Sequence, residues 1–141
     1  MDKRRRDAEA AILEERIGKN LFRFLDEDKP DECLVLGAQT NSGNIYTLRV
    51  ELEGFPDSPP AVYVAQMLKN KKGEELCEVS AEMHTLQPKN GWTRVCHHGA
   101  ESWSPRISLY KTYVKCRLWL EMYELHLQTG KPLDYYLNHQ R

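Results

Sequence analysis

The sequence predicts an α+β domain in which two helices flank, in chain order, a four-stranded antiparallel meander. Three observations carry that expectation. Apolar residues recur at helical spacing near both ends of the chain. Between them residues 45–53 (IYTLRVELE) alternate, with Tyr46, Leu48, Val50 and Leu52 on one side and Ile45, Thr47, Arg49, Glu51 and Glu53 on the other, as a half-buried antiparallel strand does. The connections between strand segments are also too short for the helical crossover that parallel strands require.

Each element has its own local cause. Residues 2–17 are rich in Ala, Glu and Arg, which lose little freedom in a helix, and Ala10, Leu13 and Ile17 share one face. Gly18 stops that helix. The Arg4–Arg6 cluster lies in its first turn, the wrong end for the helix dipole, and reads as a solvated face or as a docking patch for an acidic partner. Strands follow at 21–25, 33–40, 45–53 and 61–65, separated by the turn cluster Asp28-Lys29-Pro30-Asp31, the hairpin signal Asn41-Ser42-Gly43-Asn44, and the break GFPDSPP at 54–60. Residues 66–107 read as one long irregular segment, a length that is uncommon in a small domain and usually functional. The strongest helix begins after a Ser108 cap. Leu109, Tyr113, Cys116, Leu120, Tyr123 and Leu127 form its stripe, Leu118, Trp119, Met122 and Leu125 widen it, and Gly130 and Pro132 end it. In the tail 133–141, Tyr135, Tyr136 and Leu137 are placed to pack back on the domain.

Composition narrows the function. A length of 141 residues fits one domain, 1–141, with a core large enough to fold without disulfides. Lys+Arg 20 against Asp+Glu 21 argues against broad nucleic-acid binding. A mean hydropathy of −0.67, with no apolar run of ~18 residues, excludes a spanning helix and a membrane partner. No secretory h-region is present, so the expected setting is the reduced cytoplasm. The usual nucleotide, hydrolase and zinc-protease motifs are absent, and no cofactor or metal is expected.

Cys96 is the residue that stands out, in the irregular segment and followed by His97 and His98. A thiolate is a nucleophile, and an adjacent imidazole either lowers the thiol pKa when protonated or acts as a base when neutral. Cys33 and Cys116 fall on apolar positions and read as core, and Cys77 lies in a polar stretch and reads as inert. Zinc is disfavoured because adjacent histidines do not easily reach one ion and no CxxC pair exists. A cysteine–histidine hydrolase is disfavoured too, because its nucleophile sits at a helix N-terminus, whereas Cys96 lies well before Ser108.

Three stretches together resemble the ubiquitin-conjugating enzyme family: YTLRVELEGFPDSPPAVYV at 46–64, Val95-Cys96 followed by Trp103-Ser104-Pro105, and the helix from Ser108. The resemblance implies a ubiquitin-conjugating-enzyme-like α+β fold with an N-terminal helix, a four-stranded meander, an active-site loop, a long central helix and a truncated C-terminus. It implies a thioester on Cys96, with His97 or His98 as pKa-tuning or base residues and His84 as a brace of the loop. Met83-His84-Thr85 stands where the family carries a histidine–proline–asparagine triplet, and Asn90 is the stand-in for that asparagine. His84 and the CHH segment look most like the divergent bacterial branch found in cyclic-oligonucleotide-based (CBASS) antiphage defence operons. That branch implies as partner a nucleotide cyclase or a ubiquitin-like modifier, with an activating enzyme. A catalytically inactive adaptor of the same fold is the alternative.

Overall fold

Asp2 opens the first helix by accepting the Arg4 N–H, and Gly18 closes it at a φ of 87°, which suits glycine. The computed structural model describes residues 1–138; the tail residues 139–141 lie outside it. Helix α1 spans Lys3–Ile17, and a short 3-10 turn at Lys19–Leu21 leads into strand β1 (Phe22–Leu25). Then come β2 (Cys33–Gln39), β3 (Ile45–Glu51), β4 (Ala61–Val64), β5 (Thr85–Lys89), β6 (Trp92–Val95), helix α2 (Leu109–Thr129) and helix α3 (Leu133–Asn138).

The sheet has six strands, not four, in the order β1-β2-β3-β4-β6-β5, and every pairing is antiparallel. The two extra strands come from the segment that reads as irregular. They form a hairpin around Asn90-Gly91, both at positive φ, which is the pairing a two-residue hairpin turn favours. Pro88 and the register shift between Leu86 and Lys89 spoil the alternation that announces a strand. β6, not β5, pairs with β4, so the hairpin folds back on itself at the sheet edge.

The predicted alternation in β3 holds: Leu48 and Val50 are buried, whereas Ile45 is 71% exposed. Their cross-strand partners, Leu36 and Val64 for Leu48 and Leu34 and Val62 for Val50, are buried with them on the same face. Val95 extends that face through Val62. Helix α2 joins the same core through Leu109, Tyr113, Cys116, Trp119, Leu120 and Tyr123, whereas Leu127, at the end of the predicted stripe, is exposed.

Polar ties fix the helix on the sheet. Glu124 accepts from Thr40 and Tyr46 and from Ser42 and Asn44 of the β2–β3 hairpin; burial pushes its carboxyl up, but these four donors outweigh it and hold the group below the usual range. Tyr123 donates to the Lys69 carbonyl at 2.6 Å. Ser108 caps α2 by accepting from the Lys111 N–H, and Gly130 ends it in the left-handed conformation.

The arginine cluster at the start of α1 is not a solvated face. Only Arg4 is exposed. Arg6 is buried, 2.7 Å from Glu32 and 2.8 Å from Asp28, and these two carboxylates raise its pKa further. Arg5 pairs with Glu9, donates to the Ile107 carbonyl and lies over the Phe55 ring. Glu9 in turn accepts the Leu109 N–H at 2.7 Å, satisfying one of the free amides at the start of α2. Glu9→Ala is therefore expected to cost about 1–3 kcal/mol, because it strands that buried amide. Glu9→Gln, which keeps an acceptor, is expected to cost less. Urea unfolding of both variants checks the difference.

Candidate functional site

Cys96 follows the last residue of β6. Val95 points into the core and is 1% exposed, so the next side chain emerges on the other side and Cys96 is part-exposed. Its N–H donates to the His84 carbonyl at 2.9 Å, which extends the Thr85–Val95 pairing by one step. His84 is twelve residues from Cys96 along the chain but directly across from it in register. The carbonyl of His84 also accepts from the Trp119 indole at 3.0 Å. Its imidazole donates from Nε2 to Asp134 of α3 at 2.9 Å, and its φ is +51°. These bonds tie His84 to the Cys96 amide, to α2 and to α3.

Asn90 does not stand near the cysteine. It forms the turn at the opposite end of β6, exposed, about 20 Å of extended chain away at ~3.3 Å per residue. The segment 54–60 meets the cysteine loop instead. The Trp103 indole donates to the Pro56 carbonyl at 2.9 Å and its ring packs on Phe55. The Phe55–Pro56 peptide is cis. His97 Nε2 lies 2.7 Å from the Pro60 carbonyl.

The two imidazoles are linked Nδ1 to Nδ1 at 2.7 Å. A carbonyl only accepts, so His97 must carry its proton on Nε2. A neutral His97 then accepts at Nδ1, so His98 must donate from Nδ1. The remaining lone pair sits on His98 Nε2, a covered atom with no hydrogen-bond partner among the described residues. The His98 and Trp103 rings meet edge to face, with centroids 5.3 Å apart.

Electrostatics agrees with neutral rings. Burial lowers the His97 pKa, and Lys115 and Arg94 lower it further against the Pro60 hydrogen bond. Burial, then Lys115, His97 and Lys111, pull His98 down to about 4. Of the two routes open to an imidazole beside the thiol, activation by a protonated ring is therefore the weaker. Burial pushes the Cys96 thiol above its ordinary value, and only Arg94 opposes it. Cys33 and Cys116 are fully buried, as expected of core cysteines, and Cys77 is exposed. Among the described residues no three His, Cys, Asp or Glu side chains converge as metal ligands, and no helix is long and apolar enough to cross a membrane.

A pH prediction follows from the imidazole pair. A histidine whose folded pKa lies below the unfolded ~6.5 stabilises the fold above that pH. As pH falls from about 6.5 towards 4, the unfolded chain takes up a proton that folded His98 refuses, and stability is lost. The cations that face His98 are Lys111 and Lys115 of α2, with neutral His97 beside it. His98→Asn keeps a donor towards His97 but does not titrate. Its melting temperature is expected to fall less than that of the parent between pH 7 and pH 4.5, and equal slopes would refute the assignment.

No family model, curated protein or solved structure matches the chain.

Proposed function

We propose that this chain is a ubiquitin-conjugating-like cysteine acyltransferase that carries a protein C-terminus as a thioester on Cys96 and passes it to a target amine. The observation that carries this reading is the surrounding of Cys96: a part-exposed thiol, its backbone locked to His84, beside an imidazole pair that leaves one unprotonated ring nitrogen. The order of parts supports the finer fold assignment, a ubiquitin-conjugating-enzyme-like domain spanning 1–141, with the cysteine after the last strand, then Trp103-Ser104-Pro105, then the long helix.

Two steps are needed. The Cys96 sulfur attacks the acyl carbon of an activated donor, forming one carbon–sulfur bond while the donor's breaks and the thiol proton leaves. A target amine then attacks that carbon, the Cys96 thiolate departs, and the amine loses a proton. Lys111, Lys115 and Arg94 favour the neutral amine over its ammonium form, since like charges depress its pKa. His98 Nε2, covered and without a hydrogen-bond partner among the described residues, is the ring nitrogen left as base. His97 fixes the tautomer, and His84 braces the loop.

By the resemblance to the CBASS-associated branch, the donor is the C-terminus of a nucleotide cyclase or a ubiquitin-like protein, delivered by an activating enzyme in the bacterial cytoplasm as part of antiviral defence. A second reading, a catalytically inactive binding module of the same fold, draws on the raised thiol pKa. Two measurements separate them: the iodoacetamide rate of Cys96 against pH, and acylation of the chain by a C-terminal peptide thioester, read by intact mass. A reducible adduct on Cys96 supports the transferase. A thiol that iodoacetamide reaches but that takes no acyl group at any pH supports the binding module.

A further inference from the structure

Acyl transfer passes through a tetrahedral adduct whose oxygen carries a negative charge, and hydrogen-bond donors aimed at that charge are commonly the largest single contribution to the rate. Cys96 as nucleophile, His98 as base and His84 as brace supply none, and Asn90 lies at the far end of β6. The strand itself places one. Val95 faces the core, and the bond from the Cys96 N–H to the His84 carbonyl carries the ladder one residue further, so Arg94 and Cys96 project from the same, opposite face. Two residues of strand put their Cα atoms roughly 7 Å apart, within reach of an arginine side chain. Tyr63 of β4 is the register partner of Arg94, and its buried ring lies under the guanidinium, 5.9 Å from Cζ to the centroid. The Arg94 side chain makes no hydrogen bond or ion pair among the described residues, and its Nε is covered as well as unpartnered. Other cations of the chain also lack an ion pair, but no other described Lys or Arg has a covered nitrogen without an acceptor. Leaving such a group unmet costs free energy, and the fold avoids that cost at buried Arg6, which Glu32 and Asp28 meet.

We infer that Arg94 is a catalytic residue of this site: the end of its guanidinium donates to the acyl oxygen of the tetrahedral adduct on Cys96. The inference rests on the thioester reading. When the thiolate adds to the carbonyl carbon of the acyl donor, the C=O π pair moves onto oxygen, and it returns as the leaving group departs with its bonding electrons. The same oxygen takes the charge again when the target amine attacks and the Cys96 thiolate leaves, with the amine proton passing to the base. Arg94 is neither consumed nor deprotonated, because a guanidinium keeps its proton in a protein. Being planar and already seated on Tyr63, it loses little freedom when the charge appears. A carboxylate paired with it would occupy the donor between turnovers, and none pairs with it among the described residues.

The test compares two reactions of the same sulfur in the full chain. Acylation by a synthetic C-terminal peptide thioester, followed by intact mass, passes through an oxyanion. Alkylation by iodoacetamide displaces iodide and forms none. Both rates are divided by the thiolate fraction, taken from the pH dependence of alkylation, which removes the effect of the Arg94 charge on the thiol. Arg94→Gln, checked for an unchanged melt, is expected to lose about 10²-fold in corrected acylation, the size of one oxyanion donor, while corrected alkylation stays near that of the parent. Arg94→Lys keeps the charge without the planar fork and should recover part of the acylation. Should Arg94→Gln fail to fold, Arg94→Lys carries the comparison, with acylation reduced and alkylation kept. Corrected rates that match the parent in both reactions, or that fall equally in both, would overturn the assignment of Arg94 and leave the thioester reading in place. No acylation of the parent chain, with iodoacetamide still reaching Cys96, would overturn both.

Discussion

Cys96→Ala is expected to reduce formation of the reducible acyl adduct by at least ~10³-fold, to the background of the uncatalysed reaction. The size of the effect follows from the chemistry, since without sulfur at this position no bond to the acyl carbon forms. The other three thiols set the background. Cys33 and Cys116 are fully buried, and burial raises both thiols, so neither meets a donor as a thiolate. Cys77 is exposed, so Cys77→Ser is the control and is expected to keep the adduct. Cys96→Ser should give at most a slow adduct that thiols do not cleave. The raised thiol adds a pH signature: the acylation rate should keep rising above pH 8.5, because the thiolate fraction is still increasing there. Undiminished acylation in Cys96→Ala would sink the assignment of the nucleophile.

Cys96 was legible in the sequence because chemistry and pattern coincide there: a lone thiol in a polar loop, with two imidazoles beside it and a Trp-Ser-Pro run following. The helix boundaries were legible for the same reason, since Asp2, Gly18, Ser108 and Gly130 are caps that act locally. The β5–β6 hairpin was not. Its only strong local mark is Asn90-Gly91, the kind of signal that located the 41–44 turn, but Pro88 and the register shift hide the alternation around it. Missing that hairpin hid the relation between His84 and Cys96, because only antiparallel register brings them opposite each other. The order of the imidazole hydrogen bonds was hidden for a different reason. It is set by the Pro60 carbonyl, which reaches His97 only after β4 and β6 pair. Arg5 and Arg6 misled because a charge run normally faces water, and here Glu9, Glu32 and Asp28, distant in sequence or one turn on, neutralise it.

Trp119→Ala should produce the largest loss of stability of any single change considered, about 3–5 kcal/mol, because it removes the largest fully buried side chain in the core. The indole stacks on Tyr123 with centroids 5.5 Å apart, and its N–H is shared between the carbonyls of Met83 at 3.1 Å and His84 at 3.0 Å. The residue therefore joins core packing to the site, since that His84 carbonyl is the one that holds the Cys96 amide. Trp119→Phe separates the two contributions. It keeps most of the apolar ring but removes the donor, so the Met83 carbonyl is left buried and unpaired, at a cost of about 1–3 kcal/mol. Urea unfolding should rank the chains parent, then Phe, then Ala. Amide hydrogen exchange supplies the reading that packing alone would not move. In Trp119→Phe the Cys96 amide should exchange faster relative to core amides of β3, because its acceptor is less firmly held. If Phe and Ala destabilise equally, the hydrogen bonds and not the ring dominate at this position. If Cys96 exchange is unchanged in Trp119→Phe, the indole does not brace the site, and the stiffness of the cysteine loop must come from the Pro60–His97 and Pro56–Trp103 ties alone.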